Sequence, residues 1–282
     1  MSTLVRTIRS IKASLSIIVL LITVVGIYNP VDARTVAVSD GLIGYWNFDQ
    51  ETVNGNTIED LMGNQDGKII GDIQIVPGKF GEAIKLPGGA GTRVKITDNI
   101  LNAILPKEGI TLELWVWDEQ FIEWGGYILA AQDNGAFEKG WVLGTRRTSF
   151  SFALSSDGSD DGDGLLTYLS TPNSYNMKEW YHVVGTYDGK DMKIYINGKL
   201  ENTTGAQSGE INYPDVIFFS IGAYKDDNED FTHKGLIDEV RIYERSLSKE
   251  EISNNMNAEG LAVEPAAKLG LAWGEIKAGT IK

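Results

Sequence analysis

The chain has 282 residues, of which 39 are acidic and 25 are basic, so its formal net charge is −14. This acidic balance argues against nucleic-acid binding, because phosphate neutralisation requires clustered Lys and Arg. Cysteine is absent, which excludes disulfides, thiolate metal sites and cysteine nucleophiles together. The chain has two histidines, His182 and His233, which excludes a zinc site with three imidazole ligands.

The N-terminal segment has the three-part pattern of a secretory signal peptide. Arg6, Arg9 and Lys12 precede an apolar run over Leu15–Tyr28, and Val31–Ala33 then supplies small residues for cleavage. The apolar run of 14 residues is shorter than the roughly 20 residues that a membrane-spanning helix needs. We therefore predict a cleaved signal peptide over residues 1–33, with an uncleaved N-terminal anchor as the alternative.

Cleavage after residue 33 predicts a secreted, extracellular or periplasmic protein, with association to a cell envelope as a further option. The apolar run is followed by no cysteine, so a lipid-modified N-terminus is not expected. The mature chain would contain no membrane span.

The segment that follows is typical of an all-β fold. Turn-forming dipeptides recur at Asn54-Gly55, Asp66-Gly67, Asp188-Gly189 and Asn197-Gly198. Met192–Ile196 and Thr111–Trp117 alternate apolar and polar residues with the period of two that marks half-buried strands. Phe150–Leu154 and Val216–Ala223 are predicted as further strands. Many short strands separated by turns indicate a sandwich or a barrel.

One helix is predicted late in the chain, at about Lys249–Asn257. Ser248 and Glu251 have the spacing of a capping box, in which each side chain binds the backbone N–H of the other residue. Residues 258–282 show no clear period and are interpreted as a C-terminal extension, either packed on the domain through Leu269, Leu271 and Trp273 or used for sorting or assembly.

Five segments in series resemble the laminin-G-like, concanavalin A-like lectin/glucanase jelly-roll family. They are Gly41–Asp49 (GLIGYWNFD), Asp60–Gly67 (DLMGNQDG), Pro77–Leu86 (PGKFGEAIKL), Glu179–Lys199 (EWYHVVGTYDGKDMKIYINGK) and Gly235–Tyr243 (GLIDEVRIY) with Arg245, Leu247 and Glu251. The resemblance implies an all-β, antiparallel two-sheet sandwich over residues 34–257, with the first and last strands adjacent and a short C-terminal helix.

The resemblance also implies one structural calcium ion near the first and last strands. The matching positions are Asp49, Asp60, Asn64 and Asp238. Asp238 shares a strand face with Val240, so its carboxylate must be paired, hydrogen-bonded or metal-bound. The alternative is that Asp238 accepts only backbone N–H groups.

Two further acidic clusters are expected to be solvated loops that hold a cation weakly at most. Asp157–Gly164 resembles the first half of an EF-hand loop, but its twelfth position is Tyr168 instead of Glu. Asp226–Asp230 is interpreted in the same way. His182, within a strand, is expected to be structural, and His233 is expected to be solvated.

Aromatic side chains are the candidates for ligand binding, because their flat apolar faces can stack on sugar rings. The candidates are Trp115, Trp117, Trp124, Tyr127 and Trp141. Trp115 and Trp117 lie on the strand face opposite Leu112, Leu114 and Val116. The alternative for each aromatic residue is a place in the core of a large sandwich.

These observations favour a secreted, non-catalytic recognition module that binds a glycan or an extracellular protein. One alternative is a glycoside hydrolase of the same fold, and another is a structural adhesion unit of a cell envelope. Retaining hydrolases need two carboxyl groups roughly 5 Å apart, and the strand pattern E-x-D-x-x-E that supplies them in one related group is absent. Glu113 stands alone among apolar neighbours, and the adjacent Asp238 and Glu239 are expected to point to opposite faces of a strand.

Overall fold

Strands dominate the computed structural model, which describes residues 36–99, 103, 105–135, 137–158 and 166–261. In chain order the strands are β1 (Leu42–Trp46), β2 (Val53–Asn54), β3 (Thr57–Ile58), β4 (Gly67–Ile70), β5 (Gln74–Pro77), β6 (Glu82–Pro87), β7 (Arg93–Asn99), β8 (Ile110–Asp118), β9 (Trp124–Asp133), β10 (Glu138–Arg146), β11 (Ser149–Leu154), β12 (Thr167–Ser170), β13 (Trp180–Tyr187), β14 (Met192–Ile196), β15 (Lys199–Thr204), β16 (Val216–Ile221), β17 (Ala223–Lys225), β18 (Asp230–Thr232) and β19 (Lys234–Tyr243). A 3₁₀ helix covers Gln50–Thr52, and the helix α1 covers Lys249–Asn255.

The strands form two large antiparallel sheets. Sheet I has the order β15-β14-β13-β8-β19-β6-β5, and β1 also pairs with β19. Sheet II has the order β12-β11-β10-β9-β16-β7-β4-β3-β2, while β17 and β18 form a separate two-stranded ribbon. Leu42 in β1 is paired with Tyr243 in β19, so the first and last strands are adjacent. The two-sheet sandwich expected from the resemblance is therefore confirmed.

The core lies between the two sheets and follows from strand alternation. Leu112, Leu114 and Val116 of β8 are fully buried in it, together with Phe152 and Phe219 from sheet II. Residues of β8 between these positions, including Trp115, lie on the outer face of sheet I. The alternation of residues in the sequence therefore predicts correctly which side chains of β8 lie in the core and which lie on the outer face.

Gly222 divides the strand that was predicted over Val216–Ala223. Strand β16 ends at Ile221, and Gly222 adopts a φ of 87°, a conformation that L side chains rarely adopt. A Cβ atom at this position would lie 2.4 Å from a Leu86 methyl carbon. The chain therefore turns here, and β17 packs against β9 instead of continuing β16.

The capping box of α1 is confirmed. The backbone N–H of Glu251 donates to Ser248 Oγ at 3.2 Å, and the Ser248 N–H donates to Glu251 Oε2 at 2.7 Å. The helix ends at Asn255, two residues before the predicted end. Arg245 pairs with the Glu251 carboxylate at 2.7 Å, which joins the start of the helix to the end of β19.

The outer face of sheet I buries a network of charged side chains. Arg241 donates to Glu113 Oε1 at 2.9 Å and also binds Glu239 Oε2. Asn255 of α1 donates to Glu113 Oε2 at 2.9 Å, so the helix closes over the network. Asp238 and Glu239 are both buried, and Glu239 has a φ of 55° where β19 bulges.

Several sequence predictions lie outside the described residues. They include the signal peptide over residues 1–33, most of the acidic segment 157–164, and Leu269, Leu271 and Trp273 of the C-terminal extension. Among the described residues, no helix has both the length and the apolar character needed to cross a membrane. All described residues belong to one compact unit.

Candidate functional site

The five aromatic candidates do not converge on one site, and two of them lie inside the sandwich. Trp141 is completely buried, and its indole N–H donates to the Tyr213 hydroxyl at 2.9 Å. Tyr127 is 1% exposed and donates its hydroxyl to Asp118 Oδ2 at 2.6 Å. Both side chains thus occupy core positions, in agreement with the alternative that the sequence left open for them.

Trp115 and Trp117 lie on the outer face of sheet I. The Lys79 ammonium sits 4.2 Å from the centre of the Trp115 ring, and Phe80 meets the same ring edge-on at 6.0 Å. Lys79, Phe80 and Trp115, but not Trp117, line part of an open pocket of about 560 Å³. Its lining comprises Lys79, Phe80, Trp115, Trp180, Asn197, Met256, Asn257 and Glu259. The pocket offers both a cation and aromatic rings to a ligand.

Trp124 lies on the outer face of sheet II, where it forms what we call the aromatic platform with Tyr168 and Arg146. The two rings meet at 5.5 Å and 71°, and both are partly exposed. The Arg146 guanidinium lies 4.7 Å from the Trp124 ring and 5.2 Å from the Tyr168 ring. Sequence reasoning missed Tyr168 and Arg146, although the period of two in β10 places Arg146 on the same outer face as Val142.

Small side chains beside the platform leave a cavity of only about 10 Å³ in sheet II. Gly125, Gly144 and Ser151 line it, together with the buried Tyr224. A Cβ atom at Gly144 would lie 1.8 Å from the Gly125 carbonyl oxygen, so glycine is required there by close packing. The platform therefore lies beside closely packed backbone of β9 and β10.

The ribbon β17–β18 places an acidic cluster on the same outer face. One carboxylate oxygen from each of Asp133, Asp226 and Glu229 lies within 4.8 Å of the others. The expectation that Asp226–Asp230 is a solvated loop is wrong for Asp226, which is completely buried. Burial raises the pKa of Asp226, and burial together with the charges of Asp226 and Asp133 raises the pKa of Glu229.

The acidic cluster and the aromatic platform are neighbours. Burial raises the pKa of Tyr168, and the negative charges of Glu138 and Asp133 raise it further. Asp133, a member of the acidic cluster, therefore lies within electrostatic range of the platform.

Two of the four predicted calcium ligands, Asp60 and Asn64, organise a turn. Asp60 Oδ1 accepts the backbone N–H groups of Tyr45 and Met62, at 2.9 and 3.0 Å. Asp60 Oδ2 accepts those of Asn64 and Gln65, at 3.2 and 3.0 Å. A carboxylate offers about four lone-pair directions, and all four are used here. A cation at Asp60 would have to replace one of these hydrogen bonds.

The other two predicted ligands, Asp49 and Asp238, hold the segment 78–82. Asp49 Oδ1 accepts the Glu82 N–H at 2.9 Å, and Asp238 Oδ2 accepts the N–H groups of Lys79 and Phe80 at 2.8 and 3.0 Å. A Cβ atom at Gly81 would lie 2.1 Å from Asp49 Oδ1, which explains the glycine at this position of the motif.

Asp238 is completely buried, and among the described residues its Oδ1 atom has no hydrogen-bond partner. Burial, with a contribution from the charge of Glu239, raises the pKa of Asp238 to about 8. The raised pKa favours the protonated form of this carboxyl group near neutral pH.

Both histidines are structural in their surroundings. His182 is completely buried, with Nε2 at 3.5 Å from Glu113 Oε1. The expectation that His233 is solvated is wrong: it is 2% exposed, and its Nδ1 lies 3.1 Å from Asp118 Oδ1. Burial lowers the pKa of His233 although the Asp118 charge opposes this effect.

The buried glutamates of sheet I serve the fold. Burial by itself would raise the pKa of Glu113, but its close contact with His182 and the charge of Arg241 lower the pKa overall. Glu113 and Glu239 share Arg241 as their partner and are 0% and 3% exposed. Neither carboxylate is accessible to a sugar in this conformation.

Comparisons with known proteins agree with the fold. A family model described as concanavalin A-like lectin/glucanases superfamily matches residues 88–253, more than half of the chain. Mouse pappalysin-1 is 28% identical over 195 residues, which cover 61% of this chain and 11% of that protein. The chain therefore spans about a ninth of the length of this curated relative.

Two solved structures illustrate the similarity. Domain 4 of the Geobacillus stearothermophilus extracellular arabinanase AbnA, solved in complex with arabinotriose, superposes with a TM-score of 0.58 at 21% identity and covers 76% of this chain and 98% of that chain. The binding domain of Paraclostridial Mosquitocidal Protein 1 has a TM-score of 0.56 at 19% identity and covers 77% and 52%. At these identities the likeness concerns the fold alone. With the sheet order and the family model, it establishes that this chain belongs to the concanavalin A-like lectin/glucanase superfamily as a laminin-G-like domain.

Proposed function

We propose that the protein is an exported, non-catalytic recognition module that binds carbohydrate on the outer face of sheet II. The observation that carries the proposal is the aromatic platform of Trp124, Tyr168 and Arg146. Its two rings are partly exposed, and the guanidinium contacts both. The acidic cluster of Asp133, Asp226 and Glu229 lies on the same outer face.

The chemistry of this surface suits a sugar. The apolar C–H face of a pyranose or furanose ring stacks on an aromatic ring, while the guanidinium donates several hydrogen bonds in one plane. Carboxylates next to the platform can accept hydrogen bonds from sugar hydroxyls. The closely packed sheet beside the platform lowers the entropic cost of binding, because little has to become ordered.

The comparisons support a binding role for this chain, and they identify ligands only for the similar proteins. The arabinanase domain was solved with arabinotriose, and the mosquitocidal segment is a binding domain. An extracellular protein is the alternative partner. The observation that favours it is the pocket at Trp115 and Trp180, where Lys79 supplies a positive charge.

A glycan array followed by calorimetry tests the proposal and separates the two surfaces. We expect Trp124→Ala to weaken binding of a retained glycan by about tenfold or more, because a central aromatic contact contributes more than about 1 kcal/mol. Trp180→Ala, on the opposite sheet, is the matched control and should leave the affinity unchanged. Failure of the wild type to retain any glycan, or equal affinities of the wild type and Trp124→Ala, would contradict the proposal.

We also propose a structural calcium ion near Asp49 and Asp238, with Asp60 and Asn64 shaping the adjacent turn. The unpartnered, buried Asp238 Oδ1 supports this, because calcium accepts carboxylate oxygens as ligands and neutralises their charge. Calcium should raise the melting temperature of the chelator-treated protein, and Asp238→Asn should abolish the rise. An identical transition in chelator and in millimolar calcium would exclude this ion.

A further inference from the structure

The turn between β17 and β18 is fastened to the end of β9. Gln132 of β9 donates its side-chain amide to Asp227 Oδ2 at 2.6 Å. This contact brings the acidic turn against the next residue of the strand, Asp133. As a result Asp133 meets Asp226 and Glu229, although Asp133 is far from the other two along the chain.

One carboxylate oxygen of Asp226 accepts hydrogen bonds, and the other has no donor among the described residues. Oδ1 accepts the backbone N–H groups of Asn228 and Glu229 at 2.9 and 2.7 Å. Oδ2 is buried and has no hydrogen-bond partner among the described residues, and the side chain as a whole is completely buried. A buried carboxylate oxygen without a donor is costly, so a partner for it is expected.

The neighbouring lysine does not supply that partner. Lys225 Nζ donates to the main-chain carbonyl oxygens of Asp226 and Glu229 and lies 5.0 Å from the Phe218 ring. Within the part of the chain that the structure describes, none of the three carboxylates of the cluster forms an ion pair with a basic side chain. Three carboxylates within 4.8 Å of one another therefore form no direct ion pair among the described residues, and the nearby Lys225 charge offsets only in part the effect of burial on the pKa of Asp226.

We propose that Asp133, Asp226 and Glu229 form a binding site for a divalent cation of the calcium class. Calcium takes six to eight oxygen ligands in flexible geometry, which three carboxylates from a strand end and a turn can begin to supply. Asp133 and Glu229 are partly exposed, which leaves room for water to complete the shell. The site is separate from Asp49 and Asp238, and it stands whether or not the aromatic platform binds sugar.

Titration calorimetry of the full chain with calcium alone tests the site. After chelator treatment, the wild type should bind calcium in the submillimolar to millimolar range that is typical of extracellular modules. Asp226→Asn should weaken this binding by at least about tenfold, because even residues behind the ligands change metal affinity by about 10–100-fold. Asp98→Asn removes the same charge from an exposed position on β7 and should change the affinity less than twofold.

Two further variants make the outcome decisive. Glu229→Gln alters a partly exposed ligand and decides the question if Asp226→Asn fails to fold. Asp49→Asn should leave this binding event in place, which separates it from the ion proposed near Asp238. Absence of calcium binding by the wild type at millimolar calcium, or wild-type binding by both Asp226→Asn and Glu229→Gln, would overturn the site. Calcium binding without glycan retention would leave the site standing and contradict only the carbohydrate proposal.

Discussion

The two outer faces of the sandwich differ in how their charged side chains are paired. On sheet I, Arg241 lies between Glu113 and Glu239, and α1 covers the group through Asn255. On sheet II, the ribbon β17–β18 covers part of the face, and Asp133, Asp226 and Glu229 meet without a direct ion pair to a basic side chain in the described part of the chain. Acidic residues of this fold are therefore structural where a basic side chain pairs with them, and they are candidates for ligand binding where none does.

The largest expected effect on stability is at the outer face of sheet I, where the buried charges are paired. Replacing Arg241 with Met should lower the free energy of unfolding by about 3–5 kcal/mol, because it leaves two buried glutamates without their counter-charge. Denaturant unfolding at pH 7 measures this loss. The triple variant Glu113→Gln, Glu239→Gln and Arg241→Met should recover part of it, since no buried charge then remains in this group. A loss below about 1 kcal/mol for the single variant would show that the network is not structural.

An intermediate effect concerns Asp238, at the edge of the same face. Its pKa is raised to about 8 in the folded protein from an ordinary value of 3.8, so the folded state holds a proton that the unfolded state releases. Its contribution to stability is therefore full below pH 4 and is lost as the pH rises towards 8. The slope is at most about 1.4 kcal/mol per pH unit.

Unfolding measured from pH 5 to pH 8.5 in chelator should thus show a decline in the wild type that Asp238→Asn lacks. Saturating calcium should flatten the wild-type curve, because the cation replaces the proton as the partner of the carboxylate. Parallel curves for the two proteins in chelator would contradict the raised pKa.

The smallest expected effect on stability is at the outer face of sheet II. Trp124→Ala should lower the free energy of unfolding by only about 1 kcal/mol, since the ring is partly exposed and contacts Tyr168 and Arg146 on the outer face. Denaturant unfolding of this variant beside Arg241→Met compares the two faces directly. A loss from Trp124→Ala as large as that from Arg241→Met would mean that the platform is part of the core and not a binding surface.

Local patterns were sufficient for the strands and the helix. The alternation in Met192–Ile196 predicted β14 with the observed bounds, and Ser248 with Glu251 predicted the start of α1. The family motifs predicted the adjacency of β1 and β19. These features depend on neighbours within a few residues, or on a series of segments in order, and both can be recognised in the sequence.

Local patterns did not identify the site. Tyr127 and Trp141 had the same aromatic character as Trp124, yet the sandwich places them in its interior. His233 and Asp226 looked polar and solvated, yet both are buried, because burial depends on which strand covers a residue. Tyr168 and Arg146 meet because β10, β11 and β12 lie side by side in sheet II.

The sequence by itself determined the fold class, the strand faces and the capped helix of this protein, since periodicity and short-range hydrogen bonds act over a few residues. Tertiary structure alone decided which acids are paired. Glu113 and Arg241 are 128 residues apart in the chain, and Gln132 reaches Asp227 across 95 residues. Electrostatic pairing acts through space, so the counter-charge of a carboxylate depends on how the sheets fold together.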